Sequence, residues 1–464
     1  MVETLPGRGN LKKITIIGGG PAGYAAALYA NNFDLEVTLV ESDELGGTCL
    51  NRGCIPAKYW LHVAELNHEI NHAHDYGIQI DEKSIDWNTT TTKRQEIINK
   101  LVSGIGTLLK SKKVNIVEGW GQIESKNVVV VKKENGEEER LASDYILIAT
   151  GSQPRTLPDL EFDNNFIISS DSALNWDEPP KKVCIVGAGA IGCEFASLLI
   201  DLQSEVTVVE VEEEILPGLD KRTSGELRKQ LSKRGVVFKL NTSIESVSGN
   251  ELSFSDNEKE SFDCVLVAIG RKPFTDNIGL ENVGISNTNG FIPVDLETMQ
   301  TSVENIYALG DIVKDSPQLA HVAFAEAISA ITYIGTGDKS PVNYSAIPYV
   351  VYTNPELAEV GINSEKAKLN EIDISQSQHS FVGIGRALIQ NQNQGIVKVY
   401  AEENGPIVGA SVCGPSAGEL IHELMYMVGW EALPEEASDF IHAHPTLSEA
   451  IGESLMSLSG KGLH

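Results

Sequence analysis

The sequence predicts an α/β fold in which two domains with parallel sheets precede a smaller α+β domain. Three observations support this prediction. The chain has 464 residues, which is too long for a single hydrophobic core. Two glycine-rich turns each follow a β-branched segment and precede a helical one. The last part of the chain alternates between strand patterns and then becomes helical.

The first glycine-rich turn has the residue order of a βαβ nucleotide-binding unit. A β-branched strand stops at Gly18, Gly20 and Gly23, an Ala-rich helix follows, and the next strand ends on Glu41. The first glycine allows a tight turn, the second lets the backbone approach a pyrophosphate, and the third lets helix and strand pack closely. The helix N-terminus attracts the phosphates, and the acid can accept hydrogen bonds from ribose hydroxyls.

The same order recurs in the second half of the chain. A strand stops at Gly187, Gly189 and Gly192, a helix follows, and the next strand ends before Glu210. In both copies the acid lies 23 residues after the first glycine. A single glycine turn is weak evidence, but two complete copies with matching spacing predict two Rossmann-like domains and two bound dinucleotides.

The composition excludes some classes of function. Hydrophobic residues make up 41% of the chain, and no apolar run approaches the roughly 20 residues that a membrane-spanning helix needs. A formal net charge of -29 argues against nucleic-acid binding. It indicates a solvated acidic surface or, alternatively, a basic protein partner. The N-terminal segment 1–13 lacks the apolar core of a signal peptide, so we expect a cytoplasmic protein.

The chain divides into domains at changes of pattern. Residues 157–180, with three prolines, form the predicted linker, and helices are expected from Ala417 onward. The predicted ranges are 1–155 for the first nucleotide domain with the cysteine pair, 156–275 for the second nucleotide domain, 276–345 for a central segment that completes the first domain, and 346–464 for the C-terminal interface domain.

Two cysteines stand apart from the other four. Cys49 and Cys54 follow the first acidic strand end, where the chain is about to become helical. In an undistorted helix, the Cα atoms of residues five positions apart lie about 8 to 9 Å from each other, which is beyond the reach of a disulfide. The backbone must therefore distort for the two cysteines to join, and Gly53 and Pro56 allow this locally. A disulfide in so small a loop stabilises little, which favours a redox pair over a structural bond, although two unconnected thiols are the alternative. The remaining cysteines are predicted core residues: Cys184, Cys193, Cys264 and Cys413.

The segment 46–58 resembles the redox motif of the class I pyridine nucleotide-disulfide oxidoreductases, and the resemblance extends over essentially the whole chain. It implies that the first glycine turn binds FAD and the second binds a nicotinamide cofactor. Cys49 would exchange with the substrate, and Cys54 would lie against the flavin as a thiolate. Lys58 would lie near the flavin and pair with Glu194.

The resemblance also implies the cofactor contacts. The segment 307–311 resembles the family's second FAD contact, in which Asp311 binds the ribityl chain, and the following segment resembles the one that covers the flavin. The implied FAD contacts are Gly18, Gly20, Gly23, Glu41, Thr48, Lys58, Gly119, Thr150, Gly151, Asp311, Leu319, Ala320 and His321. The implied nicotinamide-cofactor contacts are Gly187, Gly189, Ile191, Gly192, Glu194, Glu210 and Gly270. No metal site is assigned.

The C-terminal segment 442–449 contains the predicted base. A base must take protons from substrate thiols, because the thiolate is the attacking species. Histidine titrates near neutral pH and an acid can orient it, so His444 and Glu449 fit these roles. In the resembling family this base reaches the cysteine pair of the other subunit, which implies an obligate homodimer.

Within the family, segments 53–58, 352–356 and 444–449 most resemble the members that oxidise dihydrolipoyl groups and reduce NAD. Glu210 would repel a ribose 2′-phosphate, and no Arg lies between Val211 and Asp220 to attract one. The implied partners are the dihydrolipoyl domain of an acyltransferase or H-protein and an acyltransferase subunit-binding domain.

The alternatives are a glutathione-type reductase, a mercuric reductase, or a non-enzymatic subunit of a lipoyl complex. The tail 453–464 lacks the vicinal cysteines of a mercuric reductase, and a glutathione-type reductase would normally carry basic residues after Glu210. Retention of both cysteines, His444 and Glu449 argues against a purely structural subunit. Two residues depart from the family's usual pattern, Arg52 and Ala57, and neither removes a reacting group. Arg52 would either favour a thiolate or face solvent.

Overall fold

The computed structural model describes residues 11–158 and 160–463. The prediction about the N-terminal segment 1–13 therefore lies almost wholly outside the described residues. The chain forms two compact units. The first comprises Met1–Ala57, Asn88–Gln153 and Arg271–Val342, and the second comprises Lys58–Trp87, Pro154–Gly270 and Asn343–His464. The described part of the chain contains no helix with the length and apolar character needed to cross a bilayer.

The first unit is built on a five-stranded parallel sheet. Its strands run in the order Ile306–Ala308, Tyr145–Ile148, Lys12–Ile17, Leu35–Glu41 and Asn115–Glu118. The central strands read as continuous hydrophobic runs because a parallel sheet is covered on both faces. A three-stranded antiparallel sheet follows, with strands Trp120–Ser125, Val128–Lys132 and Glu138–Ala142.

Helices pack against the first sheet and against each other. Helix Pro21–Tyr29 packs against helix Ala320–Thr336, and small residues such as Ala26 and Ala27 are fully buried there. The other helices of this unit are Gly47–Asn51, Trp87–Ser111 and the short 3₁₀ helices Ala30–Asn32, Leu280–Val283 and Gly310–Ile312. The residues of helix Cys54–His72 up to Ala57 belong to the first unit, and those from Lys58 onward belong to the second.

The second unit contains the second nucleotide sheet. Its parallel strands run in the order Val237–Lys239, Glu205–Val209, Lys182–Val186, Cys264–Val267 and Ile167–Ser169. Its helices are Ser170–Ala173, Ala190–Asp201 and Lys221–Lys233, and an antiparallel sheet has strands Ile244–Ser248, Glu251–Phe254 and Lys259–Ser261. The predicted linker 157–180 is thus only partly a linker, because Ile167–Ser169 pairs with Cys264–Val267 and completes the sheet.

The C-terminal part of the second unit is an antiparallel α+β structure, as predicted. Its strands run in the order Pro348–Val351, Glu356–Gly361, Ile407–Gly414, Ile396–Glu402 and Ile374–Ser380. The principal helices are Ala417–Gly429 and Glu449–Leu458, and the shorter ones are Ser364–Leu369, Gly385–Ile389 and Pro434–Ala437. The short strands Ser152–Pro154 and Arg271–Pro273 and the 3₁₀ helices Ala73–Tyr76, Tyr344–Ala346 and Phe381–Gly383 complete the described elements. The compact units do not test the predicted domain boundaries, which stay a prediction.

The third glycine of each turn is required by close packing. A Cβ atom on Gly23 would lie 1.8 Å from the carbonyl oxygen of Gly18, and one on Gly192 would lie 1.9 Å from that of Gly187. Real Cβ atoms do not approach backbone oxygen this closely. Both helices can therefore begin so close to their strands only because these positions have no side chain. This is the role of close packing that the sequence pattern predicted for the third glycine.

We expect Gly23→Ala to destabilise the protein by about 3 kcal/mol or more, because the added methyl group forces the helix away from the strand. Gly104→Ala is the matched control. Gly104 lies in helix Trp87–Ser111 of the same unit, and a Cβ there meets nothing within 4 Å. The control should be neutral or stabilising by about 0.5–1 kcal/mol, because alanine favours helix. Equal thermal unfolding midpoints for the two variants would contradict the packing argument.

Candidate functional site

The first glycine turn is closed by the predicted ribose acid. The backbone N–H of Gly19 donates to Oε2 of Glu41 at 2.6 Å, and that of Asp43 donates to Oε1 at 2.9 Å. Helix Pro21–Tyr29 begins at Gly20, whose position has no side-chain cap. The first N–H groups of this helix are therefore available to an anion such as a dinucleotide phosphate.

The second glycine turn has the same arrangement. The N–H of Ala188 donates to Oε2 of Glu210 at 2.7 Å, and the N–H of Glu212 donates to Oε1 at 3.0 Å. Gly189 stands at the start of helix Ala190–Asp201 without a side-chain cap. A Cβ atom on Gly189 would meet nothing within 4 Å, so open space lies above the turn. A pyrophosphate fits a turn of this form.

Two further predicted nicotinamide contacts lie in this part of the second unit. Ile191 is in the first turn of the helix that Gly189 begins. Gly270 follows the strand Cys264–Val267, has a φ of 102°, and accepts a hydrogen bond from the N–H of Arg155 at 3.0 Å. The sequence did not indicate that Glu210 would be occupied on both oxygens by backbone donors. A carboxylate has about four acceptor sites, so this occupancy leaves room for ribose hydroxyls.

The cysteine pair lies at a break between two helices, as the spacing required. Cys49 is inside helix Gly47–Asn51, and Cys54 begins the next helix. The break falls at Arg52 and Gly53, where a Cβ on Gly53 would lie 2.9 Å from the carbonyl oxygen of Thr48. The two cysteines are near disulfide distance. Distortion of the backbone at a glycine therefore brings together two residues that a straight helix would hold apart.

Arg52 makes an ion pair beside this break. Its guanidinium donates to the carboxylate of Asp43. Asp43 is in turn the residue whose N–H binds Glu41. The positive charge of Arg52 is thus paired with an acid of the neighbouring loop. The sequence predicted only that Arg52 would favour a thiolate or face solvent, and it did not predict this ion pair.

The predicted pair of Lys58 and Glu194 is present in the second unit. The Nζ of Lys58 donates to Oε1 and Oε2 of Glu194 at 2.9 and 2.8 Å. The N–H of Tyr352 donates to Oε1 at 3.0 Å, and Nζ lies 4.4 Å from the Tyr352 ring centroid. Glu194 is buried, with 8% exposure. Its carboxylate accepts three hydrogen bonds from two groups, and the charge of Lys58 compensates its own, so Lys58 is fixed in one orientation.

The remaining predicted flavin contacts lie in the first unit. The hydroxyl of Ser152 donates to Oδ2 of Asp311 at 2.5 Å, and the hydroxyl of Thr150 donates to the carbonyl of Phe274 at 2.6 Å. Burial raises the pKa of Asp311, although the Ser152 hydrogen bond and the charge of Arg271 oppose the rise. Leu319 precedes helix Ala320–Thr336, whose second residue is His321. Positive φ angles occur at Gly119 and Gly151.

The predicted base and its acid form a hydrogen-bonded pair. Nδ1 of His444 lies 2.8 Å from Oε1 of Glu449, and the N–H of Thr446 donates to Oε2 at 2.8 Å. Burial alone would raise the pKa of Glu449, but the bonds from His444 and Thr446 outweigh it and lower the pKa. The side chain of His444 is 78% exposed. Its imidazole is oriented by an ionised carboxylate and its other nitrogen remains accessible.

Comparison with known proteins identifies the family. Residues 12–327 match the family model described as pyridine nucleotide-disulphide oxidoreductase, and residues 347–455 match that family's dimerisation domain. The chain belongs to the pyridine nucleotide-disulphide oxidoreductase family. The predicted family and fold class are therefore confirmed, as are the flavoprotein oxidoreductase chemistry and the use of FAD and NAD. The dimerisation domain supports a homodimer.

Relatives of this family cover nearly the whole chain. A dihydrolipoyl dehydrogenase of Bacillus subtilis is 38% identical over 97% of this chain and 99% of its own length. The mitochondrial dihydrolipoyl dehydrogenase of Pisum sativum is 37% identical over 97% of this chain and 92% of its own. Among solved structures, LpdA of Mycobacterium tuberculosis has a TM-score of 0.89 and 27% identity, and covers 96% of this chain and 99% of that chain.

A second histidine–acid pair near the base was not assigned from the sequence. Nε2 of His442 lies 2.6 Å from Oε1 of Glu423, a residue of helix Ala417–Gly429. This hydrogen bond raises the pKa of His442 above its ordinary value, although partial burial opposes the rise. A Cβ on Gly452 would lie 2.7 Å from His442 Nδ1, so the imidazole is packed on the helix that begins at Glu449. His442 thus supports the segment that carries His444.

The His442–Glu423 pair should give a defined pH dependence of stability. The folded-state pKa of His442 is raised above the ordinary histidine value of 6.5. The pair therefore contributes fully to the stability of the fold below pH 6.5, and this contribution is lost as the pH rises through the folded-state pKa. We expect Glu423→Gln to destabilise the protein by about 1 kcal/mol at pH 6 and by less at pH 9. Urea unfolding at both pH values measures this difference.

Glu419→Gln is the matched control, because Glu419 is an exposed acid of the same helix. It removes the same charge without breaking the pair, so its effect should be small at both pH values. A Glu423→Gln effect that stayed constant from pH 6 to pH 9 would contradict the assignment of the pH dependence to His442.

Proposed function

We propose that this chain oxidises dihydrolipoyl groups through a Cys49–Cys54 disulfide and bound FAD, and reduces NAD. The predicted function agrees with relatives at 36–38% identity that are named dihydrolipoyl dehydrogenases. The observation that carries the proposal is the cysteine pair, held near disulfide distance at a helix break that follows the first strand–helix–strand unit. A disulfide at such a break closes a very small loop and stabilises the fold little, so exchange chemistry is the better reason for it.

The proposed exchange uses the residues of the chain in a fixed order. His444, oriented by Glu449, takes the proton of one substrate thiol, and the resulting thiolate attacks the sulfur of Cys49. The disulfide bond breaks, and Cys54 leaves as a thiolate. The second substrate thiol then attacks the mixed disulfide, which closes the lipoyl disulfide and releases Cys49. Two electrons and two protons pass from the substrate to the protein.

The cofactors supply the second half of the reaction. When bound, FAD accepts the electron pair of the dithiol and NAD accepts a hydride. The uncapped helix N-terminus at Gly20 and the acid Glu41 suit FAD, and the open turn at Gly189 with Glu210 suits NAD. Glu210 also disfavours a 2′-phosphate through charge repulsion, which is the basis for NAD rather than NADP. Lys58, fixed by Glu194, would place a positive charge beside the flavin.

The exchange step is tested by Cys49→Ser in the purified protein. NAD reduction with dihydrolipoamide, followed at 340 nm, should fall by at least about a thousandfold, because a serine oxygen cannot form the disulfide. Cys413→Ala is the matched control. Cys413 is buried in strand Ile407–Gly414 of the C-terminal sheet and should leave turnover nearly unchanged.

A parallel assay with NADPH and glutathione disulfide separates the proposed reaction from the reductive one. Turnover in that assay alone would overturn both the substrate and the role of Glu210. Equal activity of Cys49→Ser and Cys413→Ala with dihydrolipoamide would overturn the redox pair itself.

The proposed partners are a dihydrolipoyl domain of an acyltransferase or H-protein and the subunit-binding domain of an acyltransferase. The net charge of -29 suits a basic docking domain, and a cytoplasmic location belongs to the same proposal. We expect binding of a basic subunit-binding domain to weaken by roughly tenfold or more between 50 and 500 mM NaCl, because salt screens surface charges. Calorimetric titration at both concentrations measures this change, and an unchanged affinity would count against electrostatic docking.

A further inference from the structure

Arg271 connects three segments of the first unit that are predicted to contact the flavin. Its Nε donates to Oγ of Ser152 at 2.8 Å, and its Nη2 donates to the carbonyl oxygen of Ser152 at 2.7 Å. Nη2 also lies 3.5 Å from Oγ1 of Thr48, the residue before Cys49. Ser152 in turn donates to Asp311 at 2.5 Å. One guanidinium therefore links the cysteine segment with the acid predicted to bind the ribityl chain.

The direction of these hydrogen bonds is determined by Arg271. A serine hydroxyl has one proton and two lone pairs, and an arginine can only donate. Because Nε of Arg271 donates to Oγ of Ser152, the hydroxyl proton of Ser152 is left for Asp311. Both bonds involve a charged group, and such bonds are shorter and stronger than neutral ones. Arg271 thus orients the hydroxyl group of Ser152, and this hydroxyl donates the hydrogen bond that holds the side chain of Asp311.

Asp311 needs this support because of its surroundings. It lies in the 3₁₀ helix Gly310–Ile312, where burial raises its pKa while Ser152 and Arg271 act in the opposite direction. The same turn is held from its other side, where Oε2 of the buried Glu326 accepts the N–H of Gly310 at 2.6 Å. Removing the Arg271 charge would leave burial less opposed, and the carboxyl would take up a proton at a higher pH.

We propose that Arg271 is a positioning residue for the flavin, which acts through Ser152 to hold the carboxyl group of Asp311 in place for the cofactor. This inference rests on the proposed role of Asp311 in binding FAD. Lysine cannot replace Arg271 fully, because a single ammonium does not reproduce the paired donation from Nε and Nη2 to one serine. The assignment gives a function to a residue that the sequence pattern alone did not single out.

The test uses the purified holoenzyme and the rate at which it releases FAD, followed by the rise in flavin fluorescence after dilution. We expect Arg271→Met to accelerate release by roughly tenfold or more, because it removes two donors to one serine. Ser152→Ala should accelerate release by a similar factor, and Arg271→Lys by less. Arg140→Met is the matched control: Arg140 is an exposed arginine of the same unit that pairs with Glu124.

The pH profile distinguishes positioning from a general loss of stability. The release rate is measured for both proteins while the pH is lowered from about 8 to about 5.5. The acceleration should begin at a higher pH in Arg271→Met than in the wild type, because Asp311 becomes protonated at a higher pH in the variant. The double variant Arg271→Met/Ser152→Ala should accelerate FAD release by a smaller factor than the product of the two single-variant factors. Both changes remove the same series of hydrogen bonds, so their effects should not be additive.

The inference would be overturned if Arg271→Met and Ser152→Ala released FAD at the same rate as the wild type and with the same pH profile. If Arg271→Met fails to fold, Ser152→Ala and Arg271→Lys decide the question, because each leaves a cation at residue 271. A wild-type protein that binds no FAD would instead overturn the proposed function. Faster release in all variants, including Arg140→Met, would also overturn the inference, because the effect would then not be specific to the Arg271 path.

Discussion

The carboxylate at the end of the second strand is the interaction on which each nucleotide unit depends. In each unit it accepts a backbone hydrogen bond from the glycine turn, from Gly19 to Glu41 and from Ala188 to Glu210. The turn must be held, because its glycines have few side-chain contacts to fix their conformation. A charged acceptor provides a strong bond without adding bulk where a pyrophosphate must approach. One acid therefore holds the turn in each unit, and the predicted contact with a ribose would use its remaining acceptor sites.

The cysteine pair depends on the same turn through the chain that follows it. Glu41 binds the N–H of Asp43, and Asp43 pairs with Arg52 at the helix break. Gly53 allows the backbone to close at that break, where any larger residue would meet Thr48. The distortion that brings the two cysteines together is thus held by contacts with the loop after strand Leu35–Glu41, whose last residue accepts the N–H of Gly19 in the first nucleotide turn. The first glycine turn and the cysteine pair are therefore connected by one short series of contacts.

The sequence predicted those parts of the molecule that are encoded locally. Both glycine turns, their strands and their acids lie where the periodicity placed them, because strand, turn and helix signals are contiguous in the chain. The Lys58–Glu194 pair was also foreseen, but through family resemblance rather than through spacing. By contrast, the strand Ile167–Ser169 was missed, since three apolar and small residues between prolines have no clear period and gain their structure from pairing with Cys264–Val267.

The contacts that the sequence could not reveal join residues that are distant along the chain. Arg271 and Ser152 are 119 positions apart, and Asp311 and Ser152 are 159 apart. Asp311 was singled out by the family resemblance, but Arg271 and Ser152 look ordinary in their own segments, and only the folded geometry shows that they contact each other and Asp311. The roles predicted for the site residues remain predictions, but their contacts now restrict what each one can do.

A buried network explains why the second nucleotide sheet and the C-terminal sheet form one compact unit. Asp220, with 1% exposure, caps helix Lys221–Lys233 and accepts hydrogen bonds from Nζ of Lys398 at 2.9 Å and the hydroxyl of Tyr400 at 2.6 Å. Its N–H donates to the buried Glu359 at 2.8 Å. Buried charges are costly unless they are paired and hydrogen-bonded. Glu359 also pairs with Lys366 inside the C-terminal part, but Asp220 and Lys398 are paired only when the two parts are joined, so separation would leave both of these buried charges without their partner.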